Sequence, residues 1–327
     1  MSRVRVALLA ALVVVLGVTS VIAFTEPAAA AAPAPPPASR SHYLRALSNT
    51  LGGNASAMSA LGCSDGQSGS REVVLDIGAQ TVHAPLSAAN PGVALSATDP
   101  VIRVSYPNLV SAIQSYADGF HGCAAARTVT LVVATNSDGE FVSYTATTKG
   151  KDWADRVIDP LRAYVASKSY GRIAVLGGND IEAGFAATIT QAGQWEDAFL
   201  ANTAANLQFI GSADGCPTTA GVVNGTCNRG WTQLQYSNLT TKLGRVFTLP
   251  QIYVTAQATQ WRNIDATGGK KIVFMGSLSE HAACPTAGSG CPTASLTPAQ
   301  AWTALWNALQ PIGVTPQPIA TDLDVVD

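Results

Sequence analysis

Acidic and polar side chains follow several short apolar segments of the chain, and they are the residues best suited to chemistry. Those singled out here are Asp76, Asn179, Asp180, Glu182, Asp214, Tyr253 and Glu280. Cleavage of a glycosidic bond needs one carboxylic acid to protonate the leaving oxygen and a second carboxylate to attack the sugar or to activate water. Burial and mutual repulsion separate the pKa values of such a pair. The pattern therefore predicts a ring of carboxylates that acts on carbohydrate.

Each of these residues also has a structural interpretation. Asn179 and Asp180 are suited to cap the helix that follows, and Asp214 is suited to hold a turn before Gly215. Asp76 lies in an apolar segment, where an unpaired carboxylate is costly, so a partner such as Arg103 or Arg172 is expected.

Other chemistries lack their sequence motifs. The chain contains no Gly-x-Ser-x-Gly elbow, no phosphate-binding loop, no Gly-x-Gly-x-x-Gly fingerprint and no His-Glu-x-x-His zinc motif. We therefore predict that the protein needs no cofactor or metal. Its 19 basic and 21 acidic residues give a net charge of -2, which argues against nucleic-acid binding.

The first 32 residues have the layout of a secretory signal peptide. Arg3 and Arg5 precede the apolar run 6–24, and the small residues 28–32 offer cleavage sites. A membrane anchor is the alternative, because the apolar run approaches spanning length. We expect a protein that is secreted, extracellular or associated with the cell wall, and that touches a membrane only through an uncleaved leader.

The rest of the chain is predicted to contain one domain. Residues 33–45 are read as an extended Pro/Ala-rich tether, and residues 46–327 as a single α/β domain. The acidic tail 322–327 is expected to be a solvated end. Only 12% of the chain is charged, about half the usual share, which is compatible with a sheet buried on both faces.

Six cysteines in an exported chain favour disulfides over metal binding, because Cys-x-x-Cys pairs are missing. Short spacing favours Cys216–Cys227 and Cys284–Cys291, which leaves Cys63–Cys123.

Short apolar runs alternate with amphipathic stretches along the domain. The runs are 73–75, 129–134, 173–176, 207–210, 246–253 and 272–275, with weaker candidates at 101–105 and 312–315. Helices are predicted over 109–120, 153–165, 189–205 and 230–243, and a last one begins at the Thr297 cap. This alternation predicts a parallel sheet with helical crossovers. Eight strands favour a (β/α)8 TIM-type barrel, and a doubly wound open sheet is the alternative.

Glu182 and Glu280 follow the fourth and seventh predicted strands. This placement resembles the superfamily of retaining (β/α)8-barrel glycoside hydrolases, and the resemblance implies that Glu182 is the acid/base and Glu280 the nucleophile. In those enzymes an Asn directly precedes the acid/base Glu. Here Ile181 precedes Glu182, so Asp180, which directly follows Asn179, is the alternative acid/base.

The segments Gly-Asn-Asp-Ile-Glu (178–182), Gly-Ser-Ala-Asp-Gly-Cys-Pro (211–217), Pro-Gln-Ile-Tyr (250–253) and Gln-Trp (260–261) are also similar to a group of exported bacterial proteins of unassigned function. That similarity implies export and fold but no reaction. The expected partner is a carbohydrate or cell-wall polymer. A non-catalytic glycan-binding barrel and a structural envelope protein are the alternatives, and the sequence leaves the oligomeric state open.

Overall fold

The structure is a computed structural model that describes residues 32–95, 101–124, 127–139, 141–284 and 295–326. Strands and helices alternate through most of these ranges. The strands are β1 (Ala38–Leu44), β2 (Glu72–Thr81), β3 (Gly92–Leu95), β4 (Arg103–Ser105), β5 (Val129–Asn136), β6 (Ile173–Asp180), β7 (Leu207–Phe209), β8 (Val246–Thr248), β9 (Ser277–Ser279) and β10 (Ala320–Val326). The helices are α1 (Ala55–Ser68), α2 (Tyr106–Cys123), α3 (Ala146–Trp153), α4 (Asp159–Ser167), α5 (Ile189–Asn202), α6 (Gln233–Thr240), α7 (Thr255–Thr267) and α8 (Pro298–Leu309).

Eight of the strands form a parallel, curled sheet in the order β8-β7-β6-β5-β2-β1-β10-β9. The hairpin β3–β4 pairs antiparallel with β2. The curl brings distant strands together: Gln208 Nε2 on β7 donates to Glu72 Oε1 on β2 over 2.6 Å, although β5 and β6 lie between those strands in the sheet. The predicted mixed α/β fold with a parallel sheet is confirmed.

Both faces of the sheet are buried, which explains the continuous apolar runs of the sequence. One face carries a small cluster of side chains: Val74, Val132, Ala134, Ile210, Leu249, Leu278 and Leu323. The opposite face contributes residues such as Val73, Leu131 and Phe209 to the large core formed with the helices. Alternate residues of each strand therefore pack on different sides of the sheet.

The helices begin where local capping chemistry allows. Thr188 and Thr297 each exchange hydrogen bonds with a Gln three residues later, and both capping boxes start helices that the sequence predicts. Pro160 lies in the first turn of α4, directly after the π-helical turn Ala154–Ile158 that joins α3 to α4.

Two segments that the sequence assigns to the outside of the domain are strands of the sheet. Residues 38–44 of the predicted tether form β1, and residues 322–326 of the predicted tail belong to β10. The two strands pair with each other from Ala38↔Ala320 to Leu44↔Val326. The alternating polar residues of β1 and β10 make each segment look like a loop in the sequence. Their buried partners are supplied by the neighbouring strands and are not visible from either segment alone.

The weaker strand predictions are also corrected. Residues 103–105 form β4 of the antiparallel hairpin, and residues 310–312 form a short 3-10 turn. Residues 1–31 of the predicted leader (1–32) lie outside the described residues.

Two predicted disulfides are confirmed. Cys63–Cys123 links α1 to the end of α2, and Cys216–Cys227 closes the segment that follows β7. The third predicted pair includes Cys291, which lies outside the described residues. In the described part of the chain, no helix is long and apolar enough to cross a membrane.

Candidate active site

The acidic residues named from the sequence gather around the carboxyl ends of the parallel strands. Asp76 lies on β2, Asp180 ends β6, and Glu280 directly follows β9. Glu182 and Asp214 lie in the segments after β6 and β7. The mutual electrostatic interactions of these groups place them in one site, which also includes Tyr253. Counted among the parallel strands alone, β6 is the fourth along the chain and β9 the seventh.

Asn179 does not join this cluster. It pairs in β6 next to Asp180, so its side chain points to the opposite face of the sheet. There it lines a small cavity with Gln80, Lys149 and Trp195. The predicted substrate-binding role of Asn179 therefore has no support from its position.

The center of the site is a pair of neighbouring carboxyl groups. Asp180 is 4% exposed and accepts a hydrogen bond from Gln251 Nε2 over 3.0 Å. Glu182 is only partly buried and interacts with both Asp180 and Gln251. Burial, followed by the charge of Glu182, raises the pKa of Asp180 well above its ordinary value. Burial, followed by the charge of Asp214, raises the pKa of Glu182 to about 8. Glu182 therefore keeps its proton near neutral pH, and burial favours the neutral form of Asp180 as well.

The segment that carries Glu182 is fixed from two sides. The Glu182 backbone N–H donates to Ser137 Oγ over 3.3 Å, and the N–H of Ala183 donates to Tyr236 Oη over 3.0 Å. Tyr236 Oη in turn donates to the carbonyl of Ser212 over 3.1 Å. These bonds tie the segments after β5, β6 and β7 together.

Gly211 permits this close approach. A Cβ atom at residue 211 would lie 2.0 Å from the carbonyl oxygen of Ile181, which is the residue before Glu182. Any larger residue would displace the backbone that aims Glu182.

Asp214 is held next to Glu182 by a short covalent loop. The N–H of Asn228 donates to the carbonyl of Asp214 over 3.0 Å, and the Cys216–Cys227 disulfide closes the same segment. The carboxylate of Asp214 faces Gly184, where an added Cβ would lie 2.8 Å from Asp214 Oδ2.

Glu280 has a different environment. Burial raises its pKa, but a hydrogen bond from Tyr43 and the positive charge of Arg45 oppose that shift. Tyr253 opposes the upward shift in the pKa of Tyr43 in the same way, so the two tyrosines and Glu280 interact with one another in the site. The neighbouring Asp322 accepts from Ser279 Oγ over 2.6 Å and from the His281 N–H over 2.8 Å.

Asp76 lies deeper in the same site. Burial raises its pKa to about 7, the N–H groups of Gly78 and Ile77 oppose the shift, and Glu280 adds to it. Arg45 is the cation that acts on Asp76. The expected partners were Arg103 and Arg172. Arg103 lies in the hairpin, and Arg172 directly precedes β6, at the end of the sheet away from Asp180.

Sequence reasoning missed Tyr43, Arg45, Gln251 and Asp322. The first two lie on or next to β1, which the sequence predicts to be a tether, and Asp322 lies on β10, which the sequence predicts to be a solvated end. The alternation Ser39, Ser41, Tyr43 was the available signal for a strand, since one face of such a segment can be buried.

This arrangement can supply an acid and a base to one bound molecule. Glu182 is a partly accessible carboxylic acid, and Glu280 is a carboxyl group whose pKa is raised by burial but whose ionised form is favoured by Tyr43 and Arg45. Tyr253 interacts electrostatically with both. In the described ranges, no group of three or more His, Cys, Asp or Glu side chains is arranged to hold a metal ion.

Comparison of the chain with protein-family models, with curated proteins and with solved structures gives no match.

Proposed function

We propose that this protein hydrolyses glycosidic bonds of a polysaccharide, with Glu182 as acid/base and Glu280 as nucleophile. The observation that carries the proposal is the difference between the two carboxyl environments. The pKa of Glu182 is raised to about 8, so the group holds a proton at neutral pH. Arg45 and Tyr43 stabilise the negative charge of Glu280. One acid and one ionised carboxylate in the same site are what glycosidic cleavage requires.

Asp180 is the alternative acid, and its contacts favour a supporting role. It is nearly inaccessible, and Gln251 and Glu182 occupy its surroundings. A proton donor must reach the glycosidic oxygen of a bound sugar, and Glu182 is the more exposed of the two. In the proposed mechanism Asp180 stays protonated and orients Glu182.

In the proposed mechanism Glu182 donates its proton to the leaving oxygen while Glu280 attacks the anomeric carbon, which gives a glycosyl ester on Glu280. Glu182, now ionised, takes a proton from water, and that water cleaves the ester. Asp76, Asp214 and Tyr253 line the sugar-binding region in this proposal.

We also propose that the curled sheet closes into a (β/α)8 barrel, rather than remaining an open doubly wound sheet. The support comes from the segments around β8 and β9, the two strands that lie at opposite ends of the sheet order. The N–H of Leu278 donates to the carbonyl of Pro250 over 3.0 Å, and the N–H of Ile252 donates to the carbonyl of Leu278 over 2.8 Å. Isolated parallel β-bridges join Thr248 to Phe274 and Gln251 to Leu278 in the same region. In such a barrel the catalytic groups lie at the carboxyl ends of the strands.

The site is proposed to act outside the cytosol. Disulfides persist in oxidising compartments, and the chain has two in its described residues. A cell-wall or environmental polysaccharide is the corresponding substrate class.

The test is a panel of soluble polysaccharides, assayed for new reducing ends. Glu182→Gln and Glu280→Gln should each lower the rate by at least about 100-fold, because a positioned acid or base contributes on that order. Asp138→Asn is the matched control, since Asp138 is an exposed acid that follows β5 at the same end of the sheet. Unchanged activity in Glu280→Gln would overturn the nucleophile assignment. Binding of a glycan without any cleavage would favour the non-catalytic barrel instead.

A further inference from the structure

A second surface with chemical character lies at the opposite end of the sheet. The pocket there, of about 770 Å³, is lined by residues that precede or begin β2, β5 and β6. Three of its lining residues are arginines: Arg71, Arg127 and Arg172. The lining contains no acidic side chain, but it does include the hydroxyls of Ser68, Thr128 and Thr130.

The three arginines are brought together by the register of the sheet. Arg71 directly precedes β2, Arg172 directly precedes β6, and Arg127 lies two residues before β5, which runs between them. The carbonyl of Arg71 accepts from Thr130 N–H, and that of Arg172 accepts from Val129 N–H, each over 2.9 Å. Neighbouring strands lie about 4.8 Å apart, so the backbone positions of the three arginines lie within roughly 10 Å of one another.

These guanidinium groups have few partners of their own. Among the described residues, Arg71 and Arg172 donate no side-chain hydrogen bond, and none of the three arginines forms an ion pair. Arg127 makes one long contact, from Nη1 to the carbonyl of Gln67 over 3.5 Å. Arg71 and Arg127 are exposed.

Arg245 shows what a structural arginine does at the same edge of the sheet. It directly precedes β8, and its guanidinium donates to the carbonyls of Leu200, Thr203 and Ala205, around the end of α5. The contrast indicates that the guanidinium groups of Arg71 and Arg172 are not engaged by carbonyl groups of the described residues.

We propose that this pocket binds an anionic glycan, whose carboxylate or phosphate groups pair with Arg71, Arg127 and Arg172. Guanidinium groups match the planar geometry of such oxyanions with two parallel hydrogen bonds. The pocket has the size of an ordinary ligand site and is concave. This function goes beyond the proposed hydrolysis, because the pocket lies at the end of the sheet away from Glu182 and Glu280.

A lipid surface fits the pocket less well than a polymer chain does. Membrane-binding faces combine cations with exposed apolar side chains. The exposed large apolar residues, among them Leu51, Val142 and Leu243, do not belong to the lining of this pocket. A polymer can place successive anionic groups along the row of arginines.

The test is direct binding of polygalacturonate, which carries carboxylates, and of linear polyphosphate, with neutral dextran and anionic phospholipid vesicles as comparisons. We expect both anionic polymers to bind at 50 mM salt and to bind more weakly at 200 mM salt, whereas dextran does not bind. The Arg71→Gln/Arg172→Gln variant should bind about tenfold more weakly, as expected for the loss of two exposed charge contacts.

The matched control is Arg262→Gln/Lys270→Gln, which removes the same charge outside the pocket. It should bind as the wild type does. The proposal is overturned if Arg71→Gln/Arg172→Gln binds both polymers with unchanged affinity, or if the control loses as much. Absence of polygalacturonate binding at 50 mM salt, binding of polyphosphate without polygalacturonate, or binding to the vesicles alone also overturns it.

Discussion

Replacement of Glu72 by Gln should stabilise the protein at pH 8 and leave its stability unchanged at pH 4. Glu72 is fully buried at the start of β2, and within the described ranges its carboxyl group accepts a hydrogen bond from Gln208 alone. Burial is the main cause that raises the pKa of this carboxyl from 4.5 to about 7. The side chain is therefore neutral in the folded protein at acid pH and is forced to ionise in a desolvated position at alkaline pH.

The sign of the effect follows from proton linkage. The folded state holds the Glu72 proton more tightly than the unfolded state, so the contribution of this group to stability is complete below pH 4.5. It declines as the pH rises to about 7. Each pKa unit corresponds to 1.36 kcal/mol, so the loss in the wild type amounts to about 3 kcal/mol.

Glutamine removes this loss without removing the contact. Its amide has the shape of a protonated carboxyl group, and it can accept from Gln208 Nε2 and donate to Gln208 Oε1, which has no partner among the described residues. The variant should therefore keep the packing of the neutral wild type at every pH.

The assay is urea denaturation of both proteins at pH 4, 5.5, 7 and 8, with Asp138→Asn as an exposed control. The difference in unfolding free energy between Glu72→Gln and wild type should grow from near zero to about 3 kcal/mol across this series. The acids of the candidate site titrate in both proteins and cancel in the difference. A difference that is independent of pH, or a variant that is less stable at pH 8, would refute the reasoning.

Four further predictions concern the site and the sheet. Activity should fall above about pH 8, where Glu182 loses its proton, and below the raised pKa of Glu280, so a pH–rate profile without the alkaline limb contradicts the acid role. Gly211→Ala should lower activity and destabilise the fold by about 1–3 kcal/mol, measured by kinetics and denaturation, because its Cβ meets a carbonyl oxygen. Replacing Cys216 and Cys227 together by Ser should cost about 3 kcal/mol, with denaturation as the measurement. Amide exchange at Leu278 should be slow if the sheet closes, and rapid exchange would favour an open edge.

The sequence named most of the residues that the structure brings together in the candidate site. Parallel strands end at a common edge of their sheet. Asp76 lies on β2, Asp180 ends β6, and the other acids and a tyrosine follow strands of the sheet: Glu182, Asp214, Tyr253 and Glu280. The same reasoning failed for Asn179, because adjacent residues of a strand face opposite sides and Asp180 takes the inner one.

The first and last strands of the chain, β1 and β10, could not be predicted from the sequence. Ser41 of β1 and Thr321 of β10 share a hydrogen bond of 2.7 Å, so two polar residues 280 positions apart satisfy each other in the interior. Read separately, each belongs to a polar segment near a chain end, where solvation is the ordinary expectation. Tyr43, Arg45 and Asp322 were therefore missed together with their strands.

By itself, the sequence predicted the central strands β2, β5, β6, β7 and β8, the helices that begin at the Thr188 and Thr297 caps and a set of candidate acids. These depend on neighbours within a few positions along the chain. The tertiary structure decided that β1 and β10 complete the sheet, which acids share one site, and which of them keep their protons. The reason is physical: the pKa of Glu182 or Glu280 depends on desolvation and on charges such as Asp214 and Arg45, which folding brings close from distant parts of the chain.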